Sequence, residues 1–484
     1  MTTATPPATL QPAAPPSSLS AGRIRLVVLV LAATGVIAAG MQTLIVPLIG
    51  RLPALLGASA DDTAWAVTAT LLASAAVVPA VGRLGDMFGK RRMILLSLLP
   101  LIAGSVICAL AGSLVPLIVG RALQGLGMGV IPLGMSLLRE VLPPERVGSA
   151  VAMMSASMGI GGAIALPVAA AIAEYSSWRG MFWTFAGLAV AVLVLVCCLV
   201  PADAPGRRGQ RFDLIGAVLL AASLVSLLLA VSKGADWGWS NGRTVGCLLV
   251  AAMLLGSWIL QQLRARSPLV DLRRVGTGTV AITNVASFLV GFSMYAQSLA
   301  IPQLMQLPAE TGYGMGQSML QMALWLVPSG VTMMVVSPFG ARLTAWRGPK
   351  TTLVAGALVV AAGYGVALLT ISSVWGLVAA TIVISAGIGL AYGAIPMLVM
   401  GGVDAHETAA ANAFNTLVRS VGTSAAAALI GAVLAAFAGS VSGHSVPALA
   451  GFQVTLVVGG GAALAAAAVA MCISSRRSRA VRAG

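Results

Sequence analysis

The chain has 484 residues, of which 58% are hydrophobic and only 8% charged, against roughly 25% charged in a soluble globular protein. So few charges cannot coat a water-soluble surface, which excludes a soluble enzyme, a disordered regulator and a nucleic-acid-binding domain and leaves a polytopic membrane protein with the lipid bilayer as its first partner. The net charge of +15 would point to nucleic acid on a soluble chain, but the basic residues here sit in short loops between apolar runs, where they set membrane orientation.

In chain order, residues 1–22 carry no charged side chain and are rich in Ala, Pro, Ser and Thr, the composition of a disordered tail. Arg23 and Arg25 then precede an uncleaved first span. Fourteen spans are predicted, over 26–49, 63–82, 93–112, 115–137, 148–172, 180–200, 213–232, 244–262, 278–301, 317–338, 352–370, 374–398, 409–437 and 452–473. With that count, 22 of the 28 Lys and Arg fall on the side of the termini, four (Arg51, Arg179, Lys233 and Arg243) on the other, and Arg121 and Arg419 inside spans. The positive-inside rule therefore places both termini in the cytoplasm of a bacterial-type cell that carries the protein in its plasma membrane. A basic tail at 474–484 closes the chain. The five cysteines lie in apolar runs without metal-ligand spacing to His406 or His444, so they read as buried structural thiols, with no metal and no cofactor.

An internal repeat suggests a two-part build. Residues 125–132 read GLGMGVIP and residues 389–396 read GLAYGAIP, at an offset of 264 with five of eight positions identical. Chance likeness between small-residue helices is the alternative. Taken as a repeat, it pairs the fourth span with the twelfth. The expected domains are then a six-helix bundle at 23–200, two linker helices at 201–265 and a six-helix bundle at 266–473. Repeat-built transporters place their substrate site between the halves near the midplane.

The loop after the second span reads Gly82-Arg83-Leu84-Gly85-Asp86-Met87-Phe88-Gly89-Lys90-Arg91-Arg92. Gly82 and Gly89 suit a tight turn and close helix approach, and Asp86 can accept hydrogen bonds from a helix N-terminus or an arginine. The plain alternative is a basic topogenic loop. The segment resembles the G-x-L-a-D-r-x-G-r-k signature of the major facilitator superfamily, at the family's usual place between helices 2 and 3. The resemblance implies that Gly82, Asp86, Gly89 and Arg91 latch the cytoplasmic side. Arg121 and Gly125 are similar to the family's second motif, which associates the arginine with proton transfer. A structural arginine bonding helix-end carbonyls is the other reading. The offset maps Arg121 to Ser385, so the charge belongs to one half only. In the fifth span, Gly162 and Pro167 echo the family's antiporter motif, with Leu166, Ala170 and Ala171 standing where it has glycine.

Further segments match the fourteen-helix drug:proton antiporter branch: Ala64–Ala69, Pro143–Arg146, Ser177–Phe182, Phe212–Ala217 and Asn412–Arg419. The resemblance implies an all-α integral membrane protein of the major facilitator fold, its 14 transmembrane helices arranged as six, two and six. Helix 1 departs from the branch. Ala38 occupies the place of the family's aspartate, and no carboxylate falls mid-span. The proton-coupling candidates are then Arg121 with the outer carboxylates Asp61, Asp62 and Glu174, and, if coupling is weak for want of that carboxylate, an aspartate restored at 38 is expected to strengthen it, provided the helix tolerates the buried acid. Gln42, Trp65, Gln124, Asn284, Tyr295, Gln297, Gln321, Trp325, Asn412 and Asn415 mark a possible substrate cavity, with ordinary helix packing as the alternative for each. The expected function is export of small hydrophobic or amphipathic compounds by alternating access, linked to protons. Against it stand an energy-independent facilitator or dedicated metabolite or lipid transporter, and, from another class, a membrane enzyme or sensor. The enzyme lacks a nucleophile–base set, and the sensor lacks a soluble domain.

Overall fold

Among the described residues, the computed structural model contains 14 helices long and apolar enough to cross a membrane, as the hydropathy runs predict. It describes residues 20–473 apart from 46–47, 49–51, 59, 64, 203–211, 239, 266–267, 271, 276–277, 405–406 and 442–443. The two expected tails therefore lie outside the described residues except for 20–22, as do Arg207, Arg208 and Arg211 of the sixth loop.

The spanning helices are α1 (Ala21–Thr43), α2 (Trp65–Phe88), α3 (Lys90–Leu110), α4 (Leu114–Val141), α5 (Pro144–Tyr175), α6 (Trp178–Leu199) and α7 (Leu214–Trp237). They continue as α8 (Gly242–Arg264), α9 (Gly278–Gln306), α10 (Met319–Arg347), α11 (Pro349–Leu369), α12 (Val374–Gly401), α13 (Thr408–Ala436) and α14 (Leu449–Met471). A 3-10 turn, Gly127–Gly129, interrupts α4. Helix α1 stops at Thr43, short of the expected 49, and the backbone N–H of Leu44 and the Thr43 hydroxyl both bond to the Gly40 carbonyl. Several other helices outrun their apolar cores, α5 and α10 most of all. Hydropathy marks only the depth in lipid, whereas backbone hydrogen bonding carries the helix on into the interface.

Two buried apolar cores divide the chain. One is built from residues between Ile24 and Val200, joined by Met400, Ala409 and Ala413. The other is built from residues between Leu220 and Ile473, joined by Ala75. The third and fourth spans of each six-helix set meet through paired glycines. A Cβ on Gly104 or Gly120 would strike the other's carbonyl oxygen at 2.4 and 2.6 Å, and one on Gly356 or Gly387 would do the same at 2.7 and 2.5 Å. Only glycine permits so close a backbone approach between α3 and α4, or between α11 and α12.

Two features differ from expectation. A hairpin joins α13 to α14, with β1 (Ala438–Val441) antiparallel to β2 (His444–Pro447) and Val441 opposite His444. Its end is held by the Tyr313 hydroxyl, which donates to the Pro447 carbonyl at 2.6 Å. Of the five cysteines only Cys108 is buried, while Cys197, Cys198 and Cys472 are exposed on the bundle surface. The expectation of buried thiols fails because lipid, like protein, accepts an apolar side chain.

Candidate functional site

The most densely bonded junction between the two cores lies on the face that carries the α2–α3 turn. Asp86, three residues from the end of α2, accepts the backbone N–H groups of Ala409 at 3.2 Å and Ala410 at 2.8 Å. These are first-turn donors of α13, which have no partner within their own helix and lie at the positive end of its dipole. Lys90 lies 3.6 Å from Asp86, is ion-paired to Glu140 and donates to the Thr408 hydroxyl at 3.1 Å. Asp86 and Lys90 are 1% and 2% exposed, so both charges are desolvated and held by partners. Arg139 donates to the Met400 carbonyl, and Asn412 donates to the Ser136 hydroxyl at 3.2 Å. Gly82 admits α13 directly, since a Cβ there would lie 2.4 Å from Ala413 Cβ and 2.8 Å from the Ala409 carbonyl. Gly89, at φ 102°, holds a turn that side chains rarely adopt.

The structure thus brings Gly82, Asp86 and Gly89 into one joint, while Arg91 donates to the Cys197 carbonyl at 2.6 Å, in the same half. Lys90, Glu140, Thr408 and Ser136 were missed in the sequence. The signal for Lys90 was its place one turn after Asp86. Glu140 and Ser136 lie in the last two turns of α4 and carry no mark of their own.

Arg121 is fully buried (1% exposed) and saturated with acceptors. Its Nε donates to the Ala66 carbonyl at 3.0 Å. One terminal nitrogen donates to the Met41 carbonyl and to Gln124 Oε1, both at 2.7 Å, and the other to the Gln42 carbonyl at 3.3 Å. Met41 and Gln42 belong to the last turn of α1, where carbonyls lack helical partners and favour a cation. Gln124 passes the network on to Ser105 of α3 at 2.8 Å. This is the geometry of a clip holding α1, α2 and α3 to α4.

Arg419 lies well inside α13. It is the twelfth residue of α13, about 16 Å along the axis from the first at 1.5 Å per residue. It is only 7% exposed, buried within the protein. Its guanidinium lies over the Tyr392 ring at 4.6 Å, and its one hydrogen bond among the described residues goes to Met158 Sδ of α5 at 3.8 Å.

The expected cavity residues enter several separate contacts. Gln42 contributes its carbonyl to Arg121, and Gln124 is fully buried beside it. Asn415 donates to Asn284 and to Ser287, both at 2.8 Å, tying α13 to α9 inside one half. Gln321 is exposed and closes a capping box with Ser318 at the start of α10. Trp325 donates to Gln317 at 3.0 Å and meets Trp375 edge-on at 4.7 Å. Trp65 is half-buried with Lys233 Nζ 6.0 Å from its ring centroid. Tyr295 and Gln297 are half-buried on α9. Of the outer carboxylates Asp62 is exposed, and the side chains of Asp61 and Glu174 lie outside the described residues. On α5, Gly162 is not a tight contact. Gly161 and Gly159 are, since a Cβ there would fall 2.4 Å from the Val36 carbonyl oxygen and 2.0 Å from Met333 Sδ. Helix α5 runs unbroken through Pro167. Ala38 is fully buried in the first core, so a restored aspartate would face packed side chains.

Comparison with known proteins places this geometry. The family model described as Major Facilitator Superfamily matches residues 31–427. An uncharacterized MFS-type transporter of Mycobacterium tuberculosis is 30% identical over 303 residues, 62% of this chain and 43% of the relative. A multidrug resistance protein B homolog of the same species is 28% identical over 318 residues, 64% of this chain and 56% of the relative. The probable actinorhodin transporter of Streptomyces coelicolor is 27% identical over 412 residues, 81% of this chain and 69% of the relative. This chain spans about half the length of the first two. Among solved structures, the proton:xylose symporter XylE superposes with TM-score 0.64 at 15% identity, over 92% of this chain and 95% of that one. At that identity the likeness shows the fold alone. With the family model covering most of its length, the chain belongs to the major facilitator superfamily.

Proposed function

We propose that the protein exports small hydrophobic or amphipathic compounds across the cell membrane by alternating access, with both termini cytoplasmic and 23–200, 201–265 and 266–473 as its bundle, linker pair and bundle. The observation that carries this reading is the joint at Asp86. A pair of backbone N–H groups from one half ends on a buried carboxylate of the other, so the contact can form and release as a unit when the halves move. Relatives named as a multidrug resistance protein and as an antibiotic transporter support the substrate class. Proton linkage is the finer part of the proposal and rests on the outer carboxylates Asp61, Asp62 and Glu174. The buried position of Ala38 favours a second reading, a facilitator with no proton step. Transport into proteoliposomes, with and without an imposed pH gradient, tests both. Gradient-driven accumulation supports the exporter, gradient-insensitive equilibration supports the facilitator, and no movement of any amphipathic probe overturns both.

A further inference from the structure

Two arginines lie within spans, and their surroundings differ in kind. Arg121 has four oxygen acceptors. Arg419, 7% exposed, has none among the described residues, its single hydrogen bond there going to a thioether 3.8 Å away. Among the described residues it has no ion pair, since Lys90 holds both of those present. A guanidinium carries five N–H donors, and buried polar groups are almost always bonded to oxygen or nitrogen. A charged side chain inside a membrane span also marks function more often than packing.

What surrounds Arg419 is chemically specific. The Arg419 guanidinium carbon lies 4.6 Å from the Tyr392 ring centroid, and among the described residues its N–H groups other than the one bonded to Met158 have no acceptor. The Tyr392 hydroxyl is already committed to Met294 Sδ at 3.0 Å. Met158 and Met294 thus bring two flexible thioethers to the same place, a lining that adapts to varied apolar and aromatic shapes. Ser155 lies one turn before Met158 on α5 and is buried, and its hydroxyl has no hydrogen-bond partner. It sits between Ala152, which meets Gly393, and Gly159, which meets Met333, so it is on the face of α5 turned toward the second half. At the repeat offset of 264, Ser155 is also the counterpart of Arg419.

We propose that Arg419 and Ser155 form the recognition point for an oxyanion on an aromatic substrate, a carboxylate or phenolate, with Tyr392, Met158 and Met294 against its rings. The assignment takes the transport reading as its frame and adds to it the charge of the substrate. The bound anion neutralises Arg419 and supplies the oxygen acceptors that the protein withholds. Because α5 belongs to one half and α12 and α13 to the other, the substrate bridges the two units that alternating access must move.

Anthracene carboxylate and its neutral carboxamide, matched in shape, test this with the full chain in lipid nanodiscs. The native protein is expected to bind the carboxylate about tenfold tighter, one log unit of affinity. Arg419→Gln should abolish that preference, bringing carboxylate affinity down to that of the amide in the same variant. Equal affinity of the native protein for both probes overturns the site, and so does an equal loss of both in Arg419→Gln. A second measurement needs no variant: modification of Arg419 by phenylglyoxal, read by mass spectrometry, should be slowed by the carboxylate and not by the amide. Equal or absent protection overturns the assignment whether or not Arg419→Gln folds. Transport of the same probes separates this proposal from its frame. Binding of the carboxylate with no transport of either probe fails the exporter and leaves the site. Transport of the amide with no binding of the carboxylate fails the site and leaves the exporter.

Discussion

The carboxylate of Asp86 caps α13 from the other half of the protein, one oxygen accepting the N–H of Ala410 at 2.8 Å and the other that of Ala409 at 3.2 Å. It joins an anion to the positive end of a helix dipole at the junction of the two apolar cores, and it sets the first prediction. Asp86→Asn keeps the size and one acceptor and loses the charge. Charge-assisted hydrogen bonds contribute about 1.5–3 kcal/mol each, so the state closed at this face should lose population and transport should slow. Proteoliposome rates at matched protein incorporation check it, and an unchanged rate removes the joint from the cycle.

Gly82→Val should prevent the same closure by steric means. Its Cβ would fall 2.8 Å from the Ala409 carbonyl oxygen, and backbone cannot yield as a flexible side chain can. The expected outcome is faster thiol labelling of a cysteine placed at Ala410 than in a Gly82 background. Equal labelling rates would show that α2 and α13 do not need this approach.

Arg121→Ala should act on stability before transport. It strips the Met41, Gln42 and Ala66 carbonyls of their donor within a buried network, at about 1–3 kcal/mol for each group left unsatisfied. The thermal unfolding temperature in detergent should fall clearly. Arg121→Lys should recover only part of the loss, because a single ammonium cannot span acceptors on α1, α2 and α4 together. A native unfolding temperature for Arg121→Ala would rule out the clip and return Arg121 to the proton-transfer candidates.

Ala38→Asp should give a poorly folded protein rather than a better coupled one. The position is fully buried among apolar side chains, and an unpaired buried carboxylate costs several kcal/mol even after relaxation. Expression and monodispersity in detergent should drop together. A well-folded variant with greater substrate-induced proton movement would show that α1 turns this face to the cavity during the cycle.

The sequence by itself determined the fourteen spans, their order and the glycine and aspartate positions of the α2–α3 turn. Each of these depends on local chemistry: the preference of a run of side chains for lipid adds up residue by residue, and a positive φ at Gly89 is a demand on one residue. Tertiary structure alone decided the partners. Asp86 meets Ala410 across 324 positions, and Arg139 meets Met400 across 261, pairings that no periodicity encodes. The clearest case is the two mid-span arginines, alike in the sequence as charges within apolar runs. Arg121 is filled by helix-end carbonyls because α1 ends beside it, whereas Arg419 meets a ring and a thioether because α5 and α12 pack against that turn of α13. Hydropathy reports what each residue prefers as solvent, and only the packing of helices distant in sequence supplies or withholds the acceptors.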